Sequence, residues 1–385
     1  MTRSVAVPAH LSLLALAGFV AGCGAVAAAP PKASSRVGEV VAVSSSAERI
    51  EPYRARFGRA RPVIAVIGVN SGTELTDYVI PYGILRQADL GDVVAVATEA
   101  GPIAMRPTLR VRPQASIAEF DARFPDGADY VVVPAVVRRN DPVLLGWIRQ
   151  QAAKGGTLVS ICDGALVLAA SGVMDGHRAT AHWATDGYRR KTYPQVRWVE
   201  DRRYVADGKV VSSAGISAAV PTSLALVEAI AGHERAAAVA AEIGATDWSP
   251  IHDSRPFHPR FGRNLSAFAA TEYFNRWFHR PQTLGIAVHT GTDEVALAFA
   301  ADAYSRTGRA RVFAVAPTDA PVETRHGLVV LPDMIGARPV ERTVAVPADK
   351  PALTLDRALA EIARRFGSQT AYGVALTFEY PNFHG

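Results

Sequence analysis

From Arg61 onward, short runs of β-branched residues alternate with stretches whose apolar positions recur at helical spacing. Val63–Val69, Val93–Thr98 and Tyr130–Val133 read as strands, with Glu74–Ala88 as a helix between the first two. Asn140 or Asp141 caps a further helix that has Pro142 in its first turn, stops at Gly155 and Gly156, and leads into a strand at Thr157–Ile161. Arg203–Ser213 reads as a hairpin turning at Asp207 and Gly208, followed by helices Pro221–Ala231 and Glu234–Ile243, which break at Gly232. Apolar strands alternating with helices predict a mostly parallel sheet covered on both faces, a flavodoxin-like three-layer α/β sandwich.

The pattern lapses between Gly244 and Pro281 into a connector rich in Pro, His and aromatic residues, including Trp248, His252, His258 and Trp277. His252 and His258 lack an evident third ligand, so packing or loop roles are expected and no metal is assigned. The last hundred residues then repeat the opening motif. Ile286-Ala287-Val288, Gly291-Thr292-Asp293, a helix running to Arg306 and Val312–Ala316 mirror Ile64-Ala65-Val66, Gly72-Thr73-Glu74, a helix running to Arg86 and Val93–Ala97. This copy is truncated, jumping from a strand near Val329 to a terminal helix, Leu355–Phe366. The expected organisation is residues 1–29 as a targeting segment, 30–60 as a polar linker, 61–245 as the first domain, 246–282 as the connector and 283–385 as a partial repeat. The repeat is expected to sit where a second subunit would, giving a pseudo-dimer within one chain.

Composition adds little to the class but changes the compartment. With 385 residues and 49% hydrophobic content the chain buries an ordinary core, and 41 basic against 36 acidic residues, spread evenly, do not describe a nucleic-acid surface. Arg3, the apolar run Leu11–Ala29 and the small residues before Pro30 read as an export signal. Val20-Ala21-Gly22-Cys23 resembles a bacterial lipobox, which makes Cys23 the expected lipid-bearing residue; cleavage after Ala25-Val26-Ala27 and an uncleaved anchor are the alternatives. Each route exports the rest of the chain to the cell envelope, and a membrane-tethered form is the favoured one.

Processing at Cys23 leaves one thiol, Cys162, in the segment GGTLVSICDGALVLAASGVMDGHRATAHW, residues 155–183. A buried strand runs straight into Cys162, and Asp163-Gly164-Ala165 opens a helix, so the thiol is expected on a tight turn beside the free amides of Asp163 and Gly164. Such amides favour a thiolate and accept the charge that develops on an attacked carbonyl. The Asp163 carboxylate opposes that help.

This segment resembles the nucleophile elbow of the DJ-1/PfpI superfamily, relatives of the class I glutamine amidotransferases. Cys162 falls on the family cysteine, His182 on its histidine, and Asp77, in GTELTDYVIPYGIL, on the acidic residue that hydrogen-bonds the sulfur. The likeness covers about residues 60–245 and is nearest to the amidase-like domain that precedes the DNA-binding part of some AraC-type regulators. It implies a nucleophilic Cys162, proton transfer by His182 or Asp77, and a protonated Asp77. Pro134-Ala135-Val136 stands where many members carry a Gly-Gly pair, which removes one expected oxyanion amide.

The function expected from these residues is attack by Cys162 on a small carbonyl- or nitrile-like electrophile, by hydratase, glyoxalase-like or amidase chemistry. The alternative is a non-catalytic envelope module that binds a ligand or senses oxidants through Cys162. No G-x-G-x-x-G after a strand and no P-loop is present, so no organic cofactor is expected. Ala358–Phe366 resembles one helix of a helix-turn-helix, with no second recognition helix expected after it, and nucleic acid is not an expected partner.

Overall fold

Strand β1 (Val63–Gly68) sends alternate side chains into two separate cores, and this sets the layering of the whole first domain. Ile64 and Val66 pack with helix α1 (Leu75–Gln87), while Val63, Ala65 and Ile67 pack on the opposite side with helix α2 (Pro142–Ala153). Strands β2 (Asp92–Ala97), β3 (Tyr130–Val133) and β4 (Thr157–Ser160) lie parallel to it, followed by the hairpin β5 (Tyr204–Asp207) and β6 (Val210–Ser213). The sheet order is β5-β6-β4-β3-β1-β2, with the short strand Ala115–Ser116 at its far edge. Only β5 is antiparallel, so the parallel core runs 2-1-3-4-6, the doubly wound arrangement with its crossover point between β1 and β3. The expected mostly parallel α/β sandwich is what the chain forms.

Local signals place the helices. Asp141 caps α2 by accepting the amides of Val143 and Leu144, with Pro142 in the first turn as expected. Helices α4 (Ala219–Ala231) and α5 (His233–Ile243) break at Gly232, whose φ of 86° suits glycine.

The computed structural model describes residues 48–336 and 340–383, all within one compact unit. The expected export signal and the lipidation residue Cys23 lie outside the described residues. The expected linker is described from Glu48, and residues 48–60 are docked rather than free. Ile50 enters the core, the Tyr53 amide bonds the Ala229 carbonyl at 2.8 Å, and Arg56 and Arg59 bond carbonyls of Gly155 and Gly127.

Two features of the second half go beyond the sequence pattern. Within the connector, residues 265–278 wind as a helix with a π-helical turn at Ala270–Phe274. The terminal helix α7 (Thr354–Phe366) is followed by another, α8 (Ser368–Phe378), where none was expected. Helix α8 buries most of its side chains and carries no basic residue. Between connector and tail, β7 (Gln282–Ala287), helix α6 (Glu294–Ser305) and β8 (Ala310–Ala316) follow the expected order, and a second parallel sheet runs Met334–Ile335, β8, β7, Arg342–Val344.

Helix α6 packs on α1, and a third, mixed sheet joins the halves. Val329–Leu331 pairs antiparallel with Arg110–Arg112, Val330 opposite Val111. The first core therefore continues through Leu284, Ile286 and Leu297.

Candidate active site

Three strand ends meet at the crossover point: β1 leads to Glu74, β3 to Ala135, and β4 to Cys162. Cys162 has φ of 56°, a left-handed conformation that costs a non-glycine residue about 1–3 kcal/mol and is retained only where its surroundings enforce it. The enforcement is visible. The Cys162 amide donates to Ser213 Oγ at 3.0 Å, and a Cβ on Gly164 would lie 2.0 Å from the Val133 carbonyl oxygen, so only glycine lets helix α3 (Gly164–Ser171) start this close to β3. The thiol is 5% exposed and lines a cavity of ≈ 180 Å³ together with Glu74, Arg106, Asp163, His182 and Arg306. Larger clefts exist around Trp248 and around Tyr53, but no cysteine lines them.

Asp77 lies fully buried on α1, behind the cavity wall. One carboxyl oxygen accepts the Ala135 amide at 3.1 Å and the other has no hydrogen-bond partner. Burial, and next the charge of Glu74, push its pKa well above the ordinary carboxylate value, against the lowering pull of the Ala135 amide. Because the Ala135 amide is spent on Asp77, it does not point at a substrate oxygen.

His182 does reach the cavity, but both ring nitrogens are engaged. Nδ1 accepts the Ala184 amide at 3.2 Å, which puts the proton on Nε2, and Nε2 donates to the Thr377 carbonyl at 2.9 Å. Its imidazole thus ties the cavity wall to the end of α8. Asp163 accepts the Thr185 hydroxyl at 2.7 Å and does not cap its helix. The Asp163 amide faces the sulfur, whereas the Gly164 amide is bonded to the Ile161 carbonyl at 2.8 Å.

Burial first, then the charges of Asp77, Asp163 and Glu74, push the Cys162 thiol up; the Asp163 amide opposes them. At rest the sulfur is therefore protonated. A thiol in this setting becomes a nucleophile only by handing its proton to a nearby base.

Two residues that sequence reasoning did not single out supply the missing chemistry. Glu74, at the N-terminus of α1, lines the cavity, and burial raises its pKa to about 7 against the lowering pull of Arg306. Arg306 follows α6 in the second half, bonds Glu74 and pairs with Asp302 at 2.6 Å, while Asp302 accepts the Thr76 hydroxyl at 3.0 Å. The Gly72-Thr73-Glu74 match to Gly291-Thr292-Asp293 pointed at this stretch, but only as a repeat.

The two connector histidines serve packing. His252 pairs with Glu379 at 2.8 Å, both side chains buried, and His258 meets the Trp183 ring at 5.6 Å. Glu379 also accepts the Gly215 amide at 2.7 Å, beside Ile216 of the cavity wall.

Residues 63–229 match the model of the DJ-1/PfpI family. The chain is 26% identical over 181 residues to an isonitrile hydratase of Pseudomonas putida, spanning 46% of this chain and 75% of that protein. It is 35% identical over 103 residues to the HTH-type transcriptional regulator CdhR of Pseudomonas aeruginosa, of which it spans 30%. The solved structure of Drosophila melanogaster DJ-1beta aligns over 49% of this chain and 100% of that one, with 23% identity and a TM-score of 0.44.

Proposed function

Taking as premise that residues 63–229 form a DJ-1/PfpI family domain, we propose that the chain is a cysteine-dependent enzyme that adds water to a small electrophile, its carbon bound to nitrogen or oxygen. The observation that carries this reading is a thiol in a strained left-handed turn, opening on a cavity whose wall holds a carboxyl group with a pKa of about 7. The likeness to an isonitrile hydratase supports the nitrogen-bound case, and glyoxalase-like and amidase chemistry use the same first step.

Glu74 takes the Cys162 proton, and the sulfur attacks the electrophilic carbon to form an S–C bond. The charge that develops takes the proton back from Glu74: it sits on nitrogen or oxygen, facing the Asp163 amide, for a nitrile or a carbonyl, and on the attacked carbon itself for an isocyanide. Water, losing a proton to Glu74, then adds to the same carbon; the S–C bond breaks and the sulfur recovers a proton. Asp77 stays behind the wall, holding the Ala135 amide, and His182 fixes the wall. Wild-type protein and Cys162→Ser are to be assayed against isocyanides, glyoxals and amides: turnover is expected only with the thiol, and turnover that survives the substitution overturns the nucleophile role.

A second reading, an oxidant- or ligand-sensing module, is favoured by the spent Ala135 amide, which is turned away from any substrate oxygen. There a hydroperoxide oxidises Cys162 to the sulfenic acid and is itself reduced. Absence of turnover on every substrate, with stoichiometric sulfenate formation, selects it.

The chain is also proposed to be exported and lipid-anchored at Cys23, on the strength of the apolar run Leu11–Ala29 and the lipobox-like residues. Loss of radiolabelled fatty acid in Cys23→Ala is the check. Residues 283–385 are proposed to act as a built-in second subunit. The packing of α6 on α1, the reach of Arg306 to Glu74 and the strand pairing at Val330 support that arrangement.

A further inference from the structure

The connector helix turns its aromatic residues outward. Trp277 is 79% exposed, Phe278 74%, Tyr273 65% and Phe274 55%, while Ala267, Thr271 and Asn275 on the opposite side are buried against α8. Asn275 fixes that orientation by donating to the Thr307 carbonyl at 2.7 Å and the Thr370 hydroxyl at 3.0 Å. The Phe274 and Phe278 rings stack at 6.0 Å, and Phe261, on the turn leading in, is 94% exposed. Water-soluble surfaces rarely leave so many neighbouring aromatic rings uncovered.

The charge around them has one sign. Between Ser254 and Pro281 stand Arg255, Arg260, Arg263, Arg276 and Arg280, against a single acid, Glu272. Arg255 pairs with Asp253 and Arg276 with Glu272, whereas Arg260, Arg263 and Arg280 have no ion-pair partner among the described residues. Aromatic rings flanked by arginines match the boundary between headgroups and acyl chains. A two-fold contact between copies through this face would set arginine against arginine. Among the described residues no helix is long and apolar enough to cross a membrane. The described chain begins at Glu48, which pairs with Arg202, and Arg202 bridges Ile251 where the connector starts.

We propose that the helix of residues 265–278 is a docking surface for anionic lipid bilayers, lying flat in the interface with Tyr273, Phe274, Trp277 and Phe278 toward the acyl chains and the three unpaired arginines on lipid phosphates. This is independent of the cysteine chemistry and of any lipid on Cys23.

The test uses the full chain with vesicles of phosphatidylglycerol and phosphatidylcholine in equal parts, read by the emission of Trp277 as the difference between wild type and Trp277→Phe. Vesicles containing brominated acyl chains are expected to blue-shift and quench that difference emission. Each of Arg260→Gln, Arg263→Gln and Arg280→Gln is expected to weaken binding about fivefold, and the triple variant about a hundredfold. Unchanged circular dichroism and thermal unfolding in these variants show that folding is not at issue. The proposal fails if the chain sediments with vesicles while Trp277 emission stays unshifted, since the protein is then held elsewhere. It fails equally if pure phosphatidylcholine binds as tightly, or if the shift follows protein concentration without vesicles, which assigns the face to a second copy.

Discussion

Arg306 reaches across the boundary between the two halves to pair with Glu74, a residue 232 positions earlier, at the wall of the cysteine cavity. The pair fixes where the Glu74 carboxyl group, with its pKa of about 7, can point, and it keeps that pKa from rising further. Several measurable consequences come from it and from the groups around it.

Glu74→Gln keeps the size of the side chain and removes its proton exchange. Turnover is expected to fall about a hundredfold or more, and the limb of the pH–rate profile near pH 7 is expected to vanish. A variant that retains the limb assigns it to another group.

Arg306→Met removes the cation from between Glu74 and Asp302. The pKa of Glu74 then rises, because its largest lowering influence is gone while burial persists, so the pH–rate limb moves to higher pH. Unfolding free energy is expected to drop by about 2–3 kcal/mol, the lower end for a broken buried pair since Arg306 retains 21% exposure. Chemical denaturation and the pH profile read the two effects separately.

Asp77 makes stability depend on pH with a defined sign. Its folded-state pKa is raised, so its contribution is full below the ordinary carboxylate pKa and is lost as pH rises through the folded value. Across that window the protein is expected to lose about 1.4 kcal/mol per pH unit from this group. Asp77→Asn, which can still accept the Ala135 amide, is expected to flatten the slope above the ordinary carboxylate pKa. Denaturant midpoints at several pH values measure it.

Gly164→Ala tests the elbow itself. With the new methyl 2.0 Å from the Val133 oxygen, β3 and α3 must part, and a loss of about 3 kcal/mol or more is expected, together with slower alkylation of Cys162 by iodoacetamide at matched pH. Gly187→Ala, where a Cβ meets nothing within 4 Å, is the control.

The layered fold was legible because β1 to β4 are buried on both faces and so read as unbroken apolar runs. Cys162 was legible for a local reason: a strand that ends directly in a small-residue helix start leaves few conformations for the residue between. Glu74 was not, since nothing in its neighbours distinguishes it from Asp77; burial of one behind the wall and exposure of the other to the cavity are decided by α1 and α6 together. Arg306 was hidden because its partners are remote in sequence. His182 lines the cavity, yet the carbonyl that occupies Nε2 comes from Thr377, in a helix absent from the sequence reading. The connector helix misled for a different reason, as its aromatic residues face solvent and so invert the usual apolar stripe.

Because the Val329–Leu331 strand and the Arg110–Arg112 strand belong to one polypeptide, their joining is a first-order event that dilution cannot reverse. A cavity wall completed by Arg306 thus holds its cation at any expression level, since that cation comes from the same chain. Closing so long a loop costs entropy that grows only logarithmically with its length, a one-time expense of folding rather than a recurring one of assembly.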